Sequence, residues 1–199
     1  MYTVKEVVSR IICSVETYLN KKIHFSIESL NQLYGIFEYK KYDKGSLICK
    51  EGQVDNYIYY ISKGLVRQYY FKKDRDVTEH LATDNDMIVC IESYARCEPS
   101  RIIIEALEPT ELYRIHHDKI EELSSKNIEI QNFYFLLTQV SLITSQYKAD
   151  LFRLETAQER YNSFLKNKPE ILKRTPLQYI ASYLLMTPES LSRVRAGKQ

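Results

Sequence analysis

The sequence has no hydrophobic run long enough to span a bilayer, and its N-terminus lacks the basic, apolar and small-residue pattern of a secretory signal. The cytoplasm is therefore the expected location. The four cysteines, Cys13, Cys49, Cys90 and Cys97, are far apart and form no CxxC pair, which predicts reduced thiols and no disulfide framework. The absence of GxSxG, HExxH and a glycine loop that cradles phosphate argues against an enzyme.

Charge is nearly balanced overall but unevenly placed. The 199 residues carry a net charge of +2, with 44% apolar and 27% charged residues, as in an ordinary globular protein with one substantial domain and a smaller one. Residues 166–199 contain seven Lys or Arg against two Glu, a net of +5, so the first 165 residues sum to −3. A basic end on a mildly acidic body suits contact with nucleic acid, and a solvated basic tail is the alternative.

The first part of the chain predicts two helices followed by a β domain. Apolar residues at helical spacing indicate helices from Tyr2 to about Asn20 and from Ile27 to Tyr34. The spacing of apolar residues then changes from the helical period to the alternation of a strand. Turn signals such as Glu51-Gly52 and Lys63-Gly64 separate short apolar runs. The predicted strands are 47–49, 57–61, 65–71, 77–81, 87–91, 101–107 and 111–115. Seven or eight short strands indicate a jelly roll, sandwich or small barrel, within an α+β protein.

A helical pattern returns at about Asn127 and is predicted to end at Asn167-Lys168-Pro169, because proline cannot continue a helix. Its apolar positions advance by four and three residues, the spacing of a seam between two helices. The predicted seam consists of Phe133, Leu137, Val140, Thr144, Tyr147, Leu151 and Leu154. The simplest partner is the same helix of a second subunit, which predicts a homodimer. Packing against the chain's own β domain is the alternative, with Phe135, Leu136 and Ile143 as candidates.

The last thirty residues predict two short helices. Leu177, Ile180, Ala181 and Leu184 form one apolar face of the first. Thr187-Pro188-Glu189 starts the second with a hydroxyl N-cap, a proline at the first helical position and an acid in the first turn. A tight connection and a polar second helix are the plan of a helix-turn-helix, whose second helix enters the DNA major groove. An ordinary helical hairpin is the alternative.

The order of these parts resembles the family of the cyclic AMP receptor protein and the fumarate-nitrate reductase regulator, the Crp/Fnr family. The resemblance rests on the motifs Tyr42-Asp43-Lys44-Gly45-Ser46-Leu47-Ile48, Glu51-Gly52 and 59–66, and on segments 86–88 and 106–112, which are similar to those flanking that family's phosphate-binding cassette. It implies a homodimeric, DNA-binding transcription regulator. Residues 1–126 would form a cyclic-nucleotide-binding-like effector domain, 127–167 a dimerisation helix and 168–199 a helix-turn-helix domain.

The implied partners are double-stranded DNA and a second copy of the chain, with RNA polymerase as a further one and no membrane. The family usually adds a β-hairpin wing after the helix-turn-helix, whereas this chain stops at Gln199. A helix-turn-helix domain without a wing is therefore expected. Its DNA affinity should be modest and should depend strongly on dimerisation. A ligand-binding module that acts on a protein partner without touching DNA is the alternative for the whole chain.

The segment from Cys90 to Arg101 corresponds to the family's phosphate-binding cassette, and we call it the cassette. It departs from the family pattern. A cyclic nucleotide needs a carboxylate for the ribose and an arginine with backbone N–H groups for the phosphate. The positions of the family's Gly-Glu pair hold Val89-Cys90, and those of its Arg-Ser pair hold Ser100-Arg101. Cyclic AMP is therefore not the expected effector. The cassette remains the expected place for an unidentified small molecule, and the candidate pocket residues are Cys90, Glu92, Arg96, Ser100 and Arg101. For Glu92 and Arg96, a solvated surface pair is the alternative.

No metal or prosthetic group is predicted. An iron–sulfur cluster needs several cysteines, and only Cys13 is near the N-terminus. His116 and His117 are neighbours on a predicted strand, so their side chains would point to opposite faces. His80 is a lone strand histidine, which is usually structural.

The candidate DNA-contacting residues are Thr187, Glu189, Ser190, Arg193, Arg195 and Lys198. By their position in the family motif, Glu189 and Arg193 would read bases, because Glu accepts from cytosine N4 and Arg bonds guanine O6 and N7. An i, i+4 surface ion pair is the alternative for these two. In the turn, Leu185 stands where such motifs often have glycine, and a positive φ there would cost on the order of 1 kcal/mol.

Overall fold

The computed structural model describes residues 2–73 and 75–197, so Lys198 lies outside the described part. Two N-terminal helices come first, α1 (Val4–Leu19) and α2 (Ile27–Tyr34). Thr3 caps α1 in a reciprocal capping box with Glu6, and the Ser26 hydroxyl caps α2. These caps satisfy backbone N–H groups that the first turn of a helix leaves without partners. The apolar face of α1 then packs against the β domain.

Eight strands form the β domain. They are β1 (Phe37–Tyr42), β2 (Leu47–Cys49), β3 (Tyr57–Lys63), β4 (Leu65–Lys72), β5 (Arg75–Thr83), β6 (Met87–Val89), β7 (Ile103–Ala106) and β8 (Thr110–His116). All seven predicted strands are present, in some cases with different ends, and β1 is an addition. Its Lys40-Lys41 pair masks the alternation that marks a strand. The stretch predicted as a strand to Ile91 ends at Val89, because a short helix, α3 (Ile91–Arg96), begins there.

The strands make two antiparallel four-stranded sheets that enclose one core, which is the jelly-roll architecture expected from the sequence. The orders are β1-β8-β3-β6 and β2-β7-β4-β5. Ile61, Val66, Ile104 and Leu112 are fully buried between the sheets. Gly64 has a φ of +128°, and a Cβ at that position would lie 2.5 Å from the hydroxyl oxygen of Thr110, so only glycine fits.

The helical region that follows begins earlier than predicted and is divided into three helices. Its parts are α4 (His117–Lys126), α5 (Ile128–Leu154) and α6 (Ala157–Asn167). The prediction of one helix to residue 167 is therefore wrong: Thr156 and Glu159 form a capping box that starts a new helix. The prediction of His116 and His117 as strand neighbours is also wrong, because His116 ends β8 and caps α4 while His117 begins that helix.

The predicted seam on α5 is only partly available to a second subunit. Phe133 is 3% exposed and packs edge-on against Phe25, so it belongs to the core of its own chain and its assignment to a subunit seam is wrong. Leu137 and Val140 also pack partly on that core. Thr144, Tyr147 and Leu154 are exposed and Leu151 is half-buried. Phe135 and Ile143, the candidates for packing on the chain's own β domain, are exposed instead, whereas Leu136 packs partly on the core.

Three further helices complete the chain: α7 (Pro169–Arg174), α8 (Leu177–Tyr183) and α9 (Pro188–Arg195). We call α6–α9 the head. Its core combines Tyr161 and Phe164 of α6 with apolar residues of the last three helices, and it includes Leu65 and Leu81 of β4 and β5. The head is therefore packed on the outer face of one sheet, and α6 is part of it. Among the described residues, no helix is both long enough and apolar enough to cross a membrane.

Candidate nucleic-acid interface and effector region

The helix α9 is fixed on one side and open on the other. The Thr187 hydroxyl accepts a hydrogen bond from the Ser190 N–H at 3.1 Å, with Pro188 at the first helical position, as the sequence predicts. Leu191 is fully buried in the head. Glu189 and Arg193 are exposed, as is Arg195. A polar face is thus presented outward on a rigid support.

The turn between α8 and α9 is a Schellman motif centred on Leu185. The Leu185 N–H donates to the Ser182 carbonyl at 3.1 Å, and the Met186 N–H donates to the Ala181 carbonyl at 3.0 Å. This motif places its C′ residue in the left-handed region, and Leu185 has a φ of +56°. Leu185 therefore has the positive φ that was considered for this position, and its Cβ makes this backbone conformation unfavourable.

The side chains predicted to contact DNA differ in what they already do. The Thr187 hydroxyl is occupied by the cap, and Ser190 is half-buried with its Oγ 3.1 Å from the Thr187 Oγ1. The pKa of Glu189 is lowered first by its own backbone N–H, then by Thr187, and least by Arg193. The i, i+4 attraction between Glu189 and Arg193 is thus a minor contribution. Lys198 lies outside the described residues.

A buried arginine joins the head to the β domain. Arg67 of β4 is 1% exposed, its Nε donates to Thr78 Oγ1 at 2.9 Å, and its guanidinium forms an ion pair with Asp76. The Cζ atom of this guanidinium lies 4.3 Å from the ring centroid of Tyr69 and 3.7 Å from that of Tyr179 in α8. Arg67 was not predicted from the sequence, because β4 also contains the polar residues Gln68 and Lys72 and no local signal shows that the Arg67 guanidinium is buried.

Two basic residues of the head also bind the β domain. Lys168 Nζ lies 2.6 Å from a carboxylate oxygen of Asp86. Arg174 donates to the Gly64 carbonyl at 2.9 Å and forms an ion pair with Glu108, whose hydrogen bond raises the pKa of the guanidinium. Part of the basic excess in residues 166–199 is therefore used inside the molecule.

Side chains of the chain itself fill the β-domain interior near the cassette. Cys90, at the start of α3, is buried, and the Gln68 Nε2 donates to the Val89 carbonyl at 3.3 Å. The Tyr59 hydroxyl donates to Asp55 at 2.7 Å. Hydrogen bonding to Cys49, together with burial, raises the pKa of the Cys90 thiol, so it is held in the protonated form.

The five predicted pocket residues do not converge on one cavity. Glu92 and Arg96 form an exposed i, i+4 ion pair at 3.3 Å, which is the alternative that the sequence left open. Ser100 is buried, and its hydroxyl accepts from the Ile102 N–H at 2.9 Å. The Arg101 side chain stacks on Tyr70 instead, with its guanidinium 4.8 Å from the ring centroid. Arg101 alone of the five lines a cleft at the junction of the β domain, α5 and the head.

His80 is held neutral in the structure. Burial is the main cause that lowers its pKa, to about 4, and the nearby Lys148 ammonium lowers it further. Within residues 2–73 and 75–197, no group of three His, Cys, Asp or Glu side chains is placed to hold a metal ion.

Comparisons with known proteins agree with this architecture. Residues 39–127 match the family model described as the cyclic nucleotide-binding domain. This segment contains all eight strands except the first two residues of β1. The comparison with curated proteins found no match to the sequence.

Solved structures share the fold well beyond that domain. FixK2 from Bradyrhizobium japonicum superposes with a TM-score of 0.67 at 20% identity, covering 81% of this chain and 84% of FixK2. A Eubacterium rectale protein assigned to the Crp/Fnr family of transcriptional regulators gives a TM-score of 0.64 at 17% identity, covering 87% and 83%. The c-di-GMP-responsive global regulator CLP of Xanthomonas campestris gives 0.63 at 15%, covering 86% and 91%. The chain therefore has the fold of Crp/Fnr regulators, and the resemblance indicated by the sequence is confirmed.

Proposed function

We propose that the protein is a DNA-binding transcription regulator of the Crp/Fnr type, with α8 and α9 as its DNA-reading helices. The observation that carries the proposal is the recognition helix α9: it is capped by Thr187, anchored through Leu191, and exposes Glu189 and Arg193 on its outer face. A helix held in this way can enter the major groove with its first turns toward the bases. The shared fold of the neighbouring regulators supports the same reading.

The active form in this proposal is a homodimer that pairs through α5. Six large apolar side chains of this helix remain exposed: Ile128, Phe135, Leu142, Ile143, Tyr147 and Leu154. Ile128, Phe135 and Leu142 follow one another at intervals of seven residues and so lie on one stripe, and the other three lie about a quarter to a third of a turn around the helix from it. An identical helix is the simplest cover for such a stripe, and two heads on one dimer would span two half-sites about one helical turn of DNA apart.

The effector in this proposal is a small molecule other than cyclic AMP. The position of the ribose-binding carboxylate holds Cys90, whose thiol is buried and protonated. Gln68 and Tyr59 already use their hydrogen-bonding groups within the same interior. A cyclic nucleotide there would displace these bonds without gaining the charge-assisted ones that its binding needs.

The test is a gel-shift assay with the protein's own upstream DNA at two salt concentrations. We expect a specific shift that weakens at higher salt, because phosphate contacts release counterions. Arg193→Ala should cost about 1–3 kcal/mol at the cognate site and relax the preference at one base pair. Arg96→Ala removes an equally exposed arginine on α3 and should leave binding unchanged. The same affinity for cognate and scrambled DNA, before and after Arg193→Ala, would contradict base reading and favour a protein partner.

A further inference from the structure

A small cleft lies where the β domain, α5 and the head meet. Its volume is about 250 Å³. Tyr70 belongs to the β domain, Lys148 and Phe152 to α5, and Tyr183 to the end of α8. Arg101, the last residue of the cassette, also lines it. A molecule in this cleft would therefore touch the sensor, the long helix and the DNA-reading unit together.

Two cations line the cleft without a carboxylate partner in ion-pair contact. The Lys148 Nζ donates to the Glu79 backbone carbonyl and lies 5.4 Å from the ring centroid of Tyr183. Arg101 stacks on Tyr70, and within the described part of the chain neither cation has a carboxylate oxygen within 4.0 Å. Burial lowers the pKa of Lys148 because its ammonium has lost water, and the negative charge of Glu79 offsets only part of this loss. An anion bound here would offset that loss.

Three aromatic rings form much of the remaining wall, together with Val77, Thr78 and Leu185. The rings of Phe152 and Tyr183 meet edge to face with their centroids 6.2 Å apart, and Tyr70 forms another wall. Glu79 is the one carboxylate in this lining, so the lining carries a net charge of +1. Aromatic walls with a pair of cations match a planar ring that bears an anionic group.

We propose that this cleft binds a small aromatic carboxylate or aromatic phosphate, with the anionic group held by Arg101 and Lys148 and the ring packed against Tyr70, Phe152 and Tyr183. The proposal that the cleft binds a ligand does not depend on DNA binding. As the effector site of a regulator it rests on the proposed function, because its occupant would favour whichever arrangement of head and β domain it binds better.

The test is calorimetric titration of the full chain, without DNA, using benzoate, phenyl phosphate, phenol and inorganic phosphate. We expect benzoate or phenyl phosphate to bind, and the stronger of the two identifies which anion the cleft takes. Phenol lacks the charge and inorganic phosphate lacks the ring, so each should bind at least about tenfold more weakly. If neither aromatic anion binds at millimolar concentrations, or if inorganic phosphate binds as well as phenyl phosphate, the proposal is wrong.

Variants then locate the binding. Arg101→Gln and Lys148→Met should each weaken it about tenfold or more, and Glu79→Gln should strengthen it, since it removes a competing negative charge. The gain in Glu79→Gln cannot come from misfolding. Arg96→Gln and Lys126→Met remove exposed cations elsewhere and should change nothing. Equal loss in the control variants would overturn the assignment of the cleft.

A gel-shift assay with and without the ligand separates the two proposals. A change in DNA affinity that Lys148→Met abolishes supports the effector role. Ligand binding in the calorimeter with no DNA shift under any condition leaves the ligand site standing and contradicts the DNA-binding proposal.

Discussion

The guanidinium of Arg67 in the β domain lies 3.7 Å from the ring centroid of Tyr179 in the first helix of the helix-turn-helix. Arg67 is held on its other sides by Asp76, Thr78 and Tyr69, so it has one arrangement. The Thr78 N–H also donates to the Ser182 Oγ at 2.9 Å. The position of the head on the β domain is therefore fixed by a buried charge and not only by apolar packing.

Replacing Tyr179 by leucine should loosen this junction. The change keeps an apolar side chain but removes the ring face over a desolvated cation, which costs about 1–2 kcal/mol. Urea unfolding monitored by circular dichroism measures the loss. Tyr18→Leu changes a half-exposed tyrosine on α1 and serves as the control. If both variants lose the same stability, the stacking contributes nothing of its own.

Glycine at position 185 should stabilise the protein. Leu185 has a φ of +56° and is 58% exposed, so little packing is lost when its side chain is removed. Relief of the left-handed strain should raise the free energy of unfolding by about 0.5–1 kcal/mol, or the melting temperature by about 1–4 °C. Leu184→Gly, at the neighbouring fully buried position, should instead be strongly destabilising. A lower melting temperature for Leu185→Gly would show that the leucine side chain matters more than its backbone strain.

A charge on the exposed stripe of α5 should prevent dimerisation. Leu142 is 72% exposed, and in the proposed dimer it becomes buried against a second copy. Leu142→Asp would place an unpaired carboxylate in that interface, and sedimentation equilibrium should then report a monomer. Ser141→Asp places the same charge on an exposed position away from the stripe and should leave the dimer intact. A wild-type protein that is monomeric at micromolar concentrations would contradict this part of the proposal.

Stability should fall as the pH is lowered, partly through His80. The folded state holds the pKa of His80 at about 4, below its ordinary value near 6.5, so the unfolded chain binds the proton more readily. The contribution of His80 is fully present above pH 6.5 and is lost as the pH falls toward about 4, with a total on the order of 3 kcal/mol.

The check is the urea midpoint of the wild type and of His80→Gln at pH 7.5, 5.5 and 4.5. The wild type should lose more stability than the variant over this range, because glutamine does not titrate. The Lys148 and Lys168 ammonium groups oppose protonation of His80, and Asp86 favours it, so Lys148→Met should flatten the same curve. Parallel pH curves for the wild type and His80→Gln would contradict the assignment.

Much of the fold is visible in local sequence. The strands of the β domain follow from alternation and from glycines at turns, and Gly64 shows why one of those glycines is needed. The cap of α9 was also predicted from the sequence, because a cap depends on residues three positions apart. The break at Thr156 carries the same kind of signal, but the uninterrupted apolar spacing on either side concealed it.

The sites were harder to predict than the elements. Helical periodicity reports that a face is apolar but not which neighbour covers it, so Phe133 was placed at a subunit seam although it packs against Phe25. The cassette residues are adjacent in sequence, yet Ser100 is directed into the β domain while Arg101 is directed toward the head. Arg67 and Lys148 had no local signal, since their roles depend on α8 and β5, which are distant in the chain.

By itself, the sequence determined the succession of two helices, a β domain, a long helical region and a capped, polar last helix, because propensity, turn chemistry and capping act over a few residues. Only the tertiary structure decided which charges are buried, which face of α5 stays open, and that the head sits on β4 and β5. Those outcomes depend on desolvation and on contacts between residues tens of positions apart. The positive φ of Leu185 depends on local sequence and on the folded structure. The short turn suggested it, and the Schellman hydrogen bonds at the end of α8 impose it.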